Sequence, residues 1–193
     1  MKRSSWFSPT LIGCLVLGAI AAPTTHAIRL ADGTVYFAQP PSLSAASTTR
    51  SNTFVSNATY YFTLNLPDTA GEPLQRVAIA QQDGTTAARR VRFDAEDSRA
   101  FVGTRRNRDA ELTIAAATYN EENQTVELTF DPPIPPGTTF TVGLSPRRNP
   151  RTDGVYLFGV TAFPAGESAY GQFLGFGRLH FYDGGNDFFS IGH

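Results

Sequence analysis

Cysteine and lysine are almost absent from this sequence of 193 residues. The only cysteine is Cys14 and the only lysine is Lys2, and both lie before residue 28. The rest of the chain therefore has no disulfide or thiol chemistry, and it offers no lysine for Schiff-base or general-base catalysis. Its stability must come from packing alone.

The first 27 residues have the three parts of a secretory signal peptide. Lys2 and Arg3 precede an apolar run over residues 11–22, and Ala27 ends a small-residue cleavage site. This run is too short for a bilayer span, which needs roughly 20 residues, so a retained transmembrane anchor is the weaker alternative. We predict an exported protein, periplasmic or extracellular, with a signal peptide at residues 1–27 and a single domain at residues 28–193.

A lipid anchor is a second alternative for the N-terminus. Residues 11–14 read LIGC, the pattern of a lipoprotein cleavage box, which would leave a lipidated Cys14 at the new terminus. However, the residues before Cys14 are polar where such a signal needs an apolar core, and the apolar run continues after it. We therefore expect Cys14 to be removed with the leader.

Removal of the leader also changes the charge. It takes away Lys2 and Arg3, which leaves 14 arginines against 17 acidic residues, a formal charge of −3. A mildly acidic chain argues against nucleic acid as a partner, because nucleic-acid binding needs a strongly basic surface. No later stretch is long and apolar enough to predict a transmembrane span in the mature chain.

Polar and apolar residues alternate with a period of two along much of the chain. Tyr60, Phe62, Leu64 and Leu66 alternate with more polar neighbours, and the same period recurs near residues 112–114, 126–130 and 140–144. Asp-Gly and Pro-rich turn signals separate these segments. We predict an all-β fold, an antiparallel immunoglobulin-like β-sandwich of about 8–10 strands with little helix.

The pattern leaves one rival fold and predicts three local structures. An outer-membrane barrel would also alternate, but the Pro and Gly clusters and the final His193 argue against it. We expect a hairpin between residues 111–118 and 124–130 and a second between residues 75–81 and 89–93. Residues 42–49 are the best candidate for a short helical turn.

Several short phrases resemble a known family when they are taken in order. They are LPDTAGEPL (66–74), FDPP (130–133), PGTT (136–139), RNP (148–150), YLFGV (156–160) and FPAG (163–166). They are similar to a family of exported cyanobacterial proteins catalogued only as a domain of unknown function, DUF2808. The resemblance covers about residues 60–182. It implies an envelope or extracellular setting, and it implies no activity, ligand or catalytic residue.

The residues offer little material for catalysis or metal binding. Beyond the leader the only histidines are His180 and His193, and the sequence around Ser168 lacks the spacing of a nucleophile elbow. No CxxC or HExxH motif is present, and the acidic residues do not match a calcium loop. We therefore predict no catalytic residue, no metal site and no cofactor, and hence a protein that is not an enzyme.

Arginine is the one charged residue with a distinctive pattern, because it forms three short clusters. These candidate binding residues are Arg89, Arg90 and Arg92; Arg105, Arg106 and Arg108; and Arg147, Arg148 and Arg151. If the fold joins two clusters, their planar guanidinium groups would suit phosphate, sulfate or uronate. The alternative is solvated loop charges paired with nearby acids such as Asp94, Asp109 and Asp153.

These observations favour a binding or structural role in the cell envelope or outside the cell. The candidate partners are an anionic polysaccharide, a lipid headgroup or an envelope protein. The alternative function is a carboxylate-dependent hydrolase that acts on envelope carbohydrate. Such an enzyme would need two acids from separate strands to converge in a cleft.

Overall fold

Strands dominate the computed structural model, which describes residues 28–29, 33–82 and 86–184. The predicted signal peptide, residues 1–27, lies outside the described residues. The strands are β1 (Ile28–Arg29), β2 (Val35–Tyr36), β3 (Ser42–Thr48), β4 (Tyr60–Asn65), β5 (Leu74–Gln81), β6 (Phe93–Gly103), β7 (Arg108–Glu111), β8 (Ile114–Asn120), β9 (Thr125–Ile134), β10 (Thr139–Pro146), β11 (Gly154–Pro164) and β12 (Gln172–Phe181). A single 3₁₀ turn, Asp68–Ala70, precedes β5.

Two five-stranded antiparallel sheets form the body of the fold. The first sheet has the order β3-β4-β10-β6-β7, and the second has the order β12-β11-β5-β9-β8. The short strands β1 and β2 pair with each other. Within the described residues no helix is long and apolar enough to cross a membrane. This architecture confirms the prediction of an all-β, immunoglobulin-like sandwich.

The core lies between the two sheets and is rich in aromatic rings. Every second side chain is buried over residues 125–130 of β9, as the period of two in the sequence predicts, whereas β4 and β10 are buried on both faces and also cover Tyr61, Thr63 and Thr141. Phe158 of the second sheet meets Tyr60 and Phe62 of the first sheet at ring-centroid distances of 5.7 and 5.8 Å. Phe130 and Phe140 make a similar edge-to-face contact across the core. Packing of the two inner faces therefore fixes the relative position of the sheets.

Of the two predicted hairpins, the one at residues 111–130 is confirmed and the one at residues 75–93 is wrong. Strands β8 and β9 pair through a turn in which the Asn120 side chain accepts hydrogen bonds from the backbone N–H groups of Glu122 and Asn123. By contrast, β5 pairs with β9 and β11. Both of its edges are already occupied, so the chain after β5 crosses to the first sheet and begins β6 at Phe93.

The predicted helical turn at residues 42–49 is also wrong. These residues form β3, the edge strand of the first sheet, which pairs with β4. The segment is built of Ser, Ala, Thr and one Leu, so its weak apolar pattern gives little sign of a strand. Pairing with the strongly patterned β4 decides its conformation.

Candidate functional site

Two of the three arginine clusters meet at one end of the sandwich. The 86–92 loop, between β5 and β6, carries Arg89, Arg90 and Arg92, and the 147–153 loop joins β10 to β11. The backbone N–H of Arg147 donates to the carbonyl of Arg92 at 2.8 Å, and the N–H of Arg151 donates to the carbonyl of Ala88 at 3.0 Å. These bonds hold the two loops side by side.

The two loops and the 50–55 segment enclose an open groove of about 650 Å³. Five arginines line it, together with one aromatic and several small residues. The lining residues are Phe54, Ala87, Ala88, Arg90, Arg92, Arg147, Arg148, Asn149, Pro150 and Arg151. We call this feature the arginine groove. Five of the nine candidate binding residues therefore share one concave surface.

A buried glutamine fixes the 86–92 loop. Gln81, at the end of β5, is only 4% exposed. Its side-chain amide donates to the carbonyl of Arg89 at 2.8 Å and accepts the N–H of Val91 at 2.9 Å. The Tyr119 hydroxyl donates to the carbonyl of Val91 at 3.0 Å. The loop is thus tied to the second sheet although it forms no ladder with it.

A buried asparagine fixes the 147–153 loop in the same way. Asn149 is 2% exposed, and its Nδ2 donates to the carbonyl oxygens of Arg50 at 3.0 Å and Asn52 at 2.8 Å. Its Oδ1 accepts the Tyr60 hydroxyl at 2.8 Å. Burial, and to a lesser extent the neighbouring Tyr156, raises the pKa of Tyr60, which keeps this hydroxyl protonated as a donor.

Phe54 forms an aromatic wall of the groove. Its ring is 49% exposed, and its backbone lies in the left-handed region at φ 58°, which is uncommon for a bulky residue. The guanidinium of Arg148 lies 4.2 Å from the ring centroid and that of Arg151 lies 5.3 Å from it. These cation–π contacts place a flat apolar face beside two charges.

Acidic residues neutralise part of the groove. Arg147 bonds Asp94 at 2.7 Å, and Arg92 lies 3.6 Å from Glu121; both ion pairs are largely exposed. The hydrogen bond and the charge of Asp94 raise the pKa of Arg147, which stays charged. Among the described residues no acid lies within ion-pair distance of Arg148 or Arg151. The predicted pairing with Asp94 is thus present at Arg147 and does not extend to the rest of this loop.

Arg89 and the cluster of Arg105, Arg106 and Arg108 lie outside the groove. Arg89 stacks on Tyr156 at 4.3 Å and donates to the carbonyl of Val155 at 2.8 Å, so it braces the loop from behind. Arg105, Arg106 and Arg108 lie in and after the β6–β7 turn, toward the other end of β10. Of the three clusters that look equivalent in the sequence, two therefore share the groove, apart from Arg89, and the third lies elsewhere.

One depression brings together two acids from separate strands, as the hydrolase alternative requires. Glu96 of β6 and Glu111 of β7 both line an open depression of about 540 Å³. Both glutamates are exposed, whereas a catalytic acid usually needs burial to hold its proton near neutral pH. Within the described ranges no group of three His, Cys, Asp or Glu could hold a metal ion. The arginine groove, which joins two of the predicted clusters, is therefore the better candidate for a functional site.

Sequence reasoning missed the residues that shape the groove. Phe54 stands alone in a polar segment, and Gln81 and Asn149 look like ordinary turn-flanking polar residues. Only the phrase RNP at residues 148–150 marked the position of Asn149, and it indicated a turn rather than a buried amide.

The fold defines a domain of two packed antiparallel β-sheets, with a groove lined by five arginines at one end. Over residues 34–181 the sequence matches the family described as Protein of unknown function (DUF2808), and the chain belongs to that family. This match confirms the resemblance found in the sequence. No curated protein matches the chain.

Solved structures with a similar fold include three bacterial proteins. They are the collagen-binding domain from a Staphylococcus aureus adhesin (9% identity, TM-score 0.38, 72% of this chain and 97% of that chain), the collagen binding subdomain of the Enterococcus faecalis surface protein ACE (9%, 0.42, 70% and 93%), and the pilus 2b backbone protein of group B streptococcus (11%, 0.44, 72% and 57%). These likenesses concern the fold, and the ligands of those proteins are not carried over.

Proposed function

We propose that this protein is an exported, non-enzymatic domain that binds an anionic polysaccharide of the cell envelope or its surroundings in the arginine groove. One observation carries the proposal: two arginine clusters that are far apart in the sequence line the same groove. The signal peptide at residues 1–27 and the cyanobacterial setting implied by the family resemblance are parts of the proposal that come from the sequence.

The chemistry of the groove suits a sugar with an acidic substituent. Guanidinium groups grip carboxylate, sulfate or phosphate through paired hydrogen bonds. Phe54 adds a half-exposed ring between those charges, and an apolar face with a few oriented polar groups is typical of a ligand site. A uronic-acid ring offers both a face for Phe54 and a carboxylate for Arg148 or Arg151, whereas a phosphate ion offers the charge alone.

The ion pairs at the groove do not oppose this function. Exposed pairs such as Arg147–Asp94 and Arg92–Glu121 contribute little to stability, because water screens them. A polyanion can therefore replace Asp94 and Glu121 as the partner of these arginines at little cost. Because the gain is electrostatic, binding should weaken as the salt concentration rises.

Retention on immobilised polygalacturonate, a polymer of uronic acid, tests the proposal. We expect the wild-type protein to be retained in calcium-free buffer at low salt and released by salt. The double variant Arg148→Ala/Arg151→Ala should elute at a clearly lower salt concentration, because it removes two groove charges and leaves the Asn149 anchor in place.

The matched control is Arg76→Ala/Arg178→Ala, which removes the same charge from the second sheet. This control should elute like wild type. Equal elution of the two double variants would show that net charge, and not the groove, governs retention. Vesicles of anionic lipid provide a second arm: binding to vesicles without retention on the polysaccharide would contradict a glycan ligand.

A further inference from the structure

The β6–β7 turn presents a second cationic surface, which we call the turn cluster: Arg105, Arg106 and Arg108. All three side chains belong to exposed residues. The Arg108 guanidinium lies 5.3 Å from the Tyr61 ring centroid and 4.7 Å from that of Phe101, and its Nη2 donates to the Tyr61 hydroxyl at 2.9 Å. Arg105 also lies 5.3 Å from the Tyr61 ring and donates to the carbonyl of Thr48 at 3.1 Å. Two of the three guanidiniums are therefore oriented before any ligand arrives.

The backbone of the turn is equally well determined. Thr104 and Asn107 exchange two backbone hydrogen bonds, of 3.0 and 3.1 Å. Gly103 enters the turn at φ 93°, and a Cβ at this position would overlap the carbonyl of Asn107. The turn thus holds the three arginines on a tight, defined loop.

No acid neutralises the turn cluster among the described residues. Its contacts are to aromatic rings, a phenol and backbone carbonyls, none of which cancels charge. The nearest acid in sequence, Asp109, accepts a hydrogen bond from the backbone N–H of Ala110. The cluster therefore keeps its positive charge, whereas the arginine groove is partly paired.

The turn cluster and the arginine groove are separate surfaces along the first sheet. At the turn end of the sheet, Tyr61 pairs with Gly143, and Thr141 bonds Gly103 at the start of the turn. Arg147, the first residue after β10, lies four residues beyond Gly143 and six beyond Thr141. At about 3.3 Å per residue the separation is roughly 13–20 Å, which exceeds the Debye length of about 8 Å at physiological salt.

An acidic bulge stands between the two surfaces. Gly143 pairs with Arg99, whereas Ser145, only two residues on, pairs with Asp94, so residues 95–98 of β6 bulge out of the ladder. This bulge carries Glu96 and Asp97, both exposed, beside the paired Asp94. A single polyanion lying across both surfaces would meet these carboxylates.

We propose that the turn cluster is a second binding site for an acidic polysaccharide and that the protein cross-links two polysaccharide segments, one in each site. The proposal rests on the function proposed for the arginine groove and adds a network-forming role to it. Two sites on one rigid domain can hold two chain segments at once, which makes the protein a bridge between chains.

Light scattering of long-chain polygalacturonate, mixed with the full exported protein in calcium-free, low-salt buffer, tests the proposal. We expect wild type to raise the scattered intensity by about tenfold or more through bridging. The double variant Arg105→Ala/Arg106→Ala leaves Arg108 in place on Tyr61, so the turn keeps its main brace. It should remain bound to the immobilised polymer through the groove while the increase in scattering is lost.

Further variants separate the outcomes. The charge-matched control Arg76→Ala/Arg178→Ala should scatter like wild type, and the single reversal Arg106→Glu, at a side chain without a described partner, should reduce scattering. Wild type that is retained without added scattering overturns the cross-linking role alone. If the Arg105→Ala/Arg106→Ala variant scatters as strongly as wild type, the bridging comes from the groove or from self-association. That result overturns the second site. Absence of wild-type retention overturns both proposals.

Discussion

Asn149 shows how one buried amide can organise a charged surface. Its side chain contacts three other parts of the chain: Tyr60 in β4 and the carbonyls of Arg50 and Asn52. Because arginines flank it on both sides, any shift of Asn149 moves Arg148 and Arg151 as well. The Tyr60 hydroxyl is buried, so its hydrogen bond to Asn149 is costly to lose, whereas the two carbonyls belong to exposed residues.

Replacement of Asn149 by alanine should therefore destabilise the fold and loosen the groove together. We expect the Asn149→Ala variant to lose about 1–3 kcal/mol of unfolding free energy, because the buried Tyr60 hydroxyl loses its acceptor. Urea denaturation measures this loss. In a double-mutant cycle Tyr60→Phe should cost less in the Asn149→Ala background than in wild type; strictly additive costs would contradict the proposed coupling.

At the residue scale, the sequence predicts where the arginines cluster along the chain better than it predicts where they lie in the folded structure. The arginine clusters are visible as runs, and two of them do converge. Their convergence depends on which loops share an end of the sandwich, and no local pattern encodes that. Phe54 is an isolated aromatic whose contact with Arg148 exists only in the folded chain.

At the scale of elements, the approach of β12 to β3 closes one side of the sandwich. Gly177 of β12 faces inward, where an added Cβ would lie 2.8 Å from the Phe62 ring and 2.9 Å from the Cβ of Ala46. Small residues at these positions allow two edge strands from different sheets to come close together. The absence of a side chain at Gly177 is thus a packing requirement.

The Gly177→Ala substitution should destabilise the fold by about 1–3 kcal/mol, because the core at this contact has no room for a methyl group. Thermal unfolding monitored by circular dichroism measures the change. His180→Ala, on the exposed side of the same strand, is the control and should remain close to wild type. A Gly177→Ala variant as stable as the control would mean that the two strands can separate freely.

Strands with strong alternation were predictable, and those whose pairing is decided elsewhere were not. β4, β9 and β10 each carry large apolar side chains at every second position, which fixes both their existence and their inward face. β3 has mostly small side chains, and its conformation follows from β4. The wrong hairpin at residues 75–93 arose because proximity in sequence cannot reveal that β5 is central and already paired on both edges.

At the scale of the whole molecule, ionisation should govern stability mainly at high pH. Burial raises the pKa of Tyr60 and of Tyr119, so the folded state holds these phenolic protons more tightly than the unfolded chain does. Above the ordinary tyrosine pKa of 10.0 the unfolded chain loses protons that the folded chain retains. The unfolding free energy must then fall as the pH rises.

We expect the unfolding free energy to decrease above about pH 10, with a slope of up to about 1.4 kcal/mol per pH unit for each buried tyrosine. Urea denaturation at a series of pH values between 8 and 11.5 measures the slope. Tyr60→Phe should flatten it although it lowers stability at neutral pH, whereas Tyr182→Phe, at an exposed position, should leave it unchanged. An equal slope in the wild type and the Tyr60→Phe variant would contradict the role of Tyr60.

The arginine groove is assembled from residues 50–55, 86–92 and 147–151, and no contiguous stretch of the chain contains it. A copy that a protease cuts between these segments, and that then unfolds, keeps its arginines but loses the groove that they form together. Under the proposed function, retention by the polysaccharide therefore depends on the intact fold, and damaged copies are released without a separate system to recognise them.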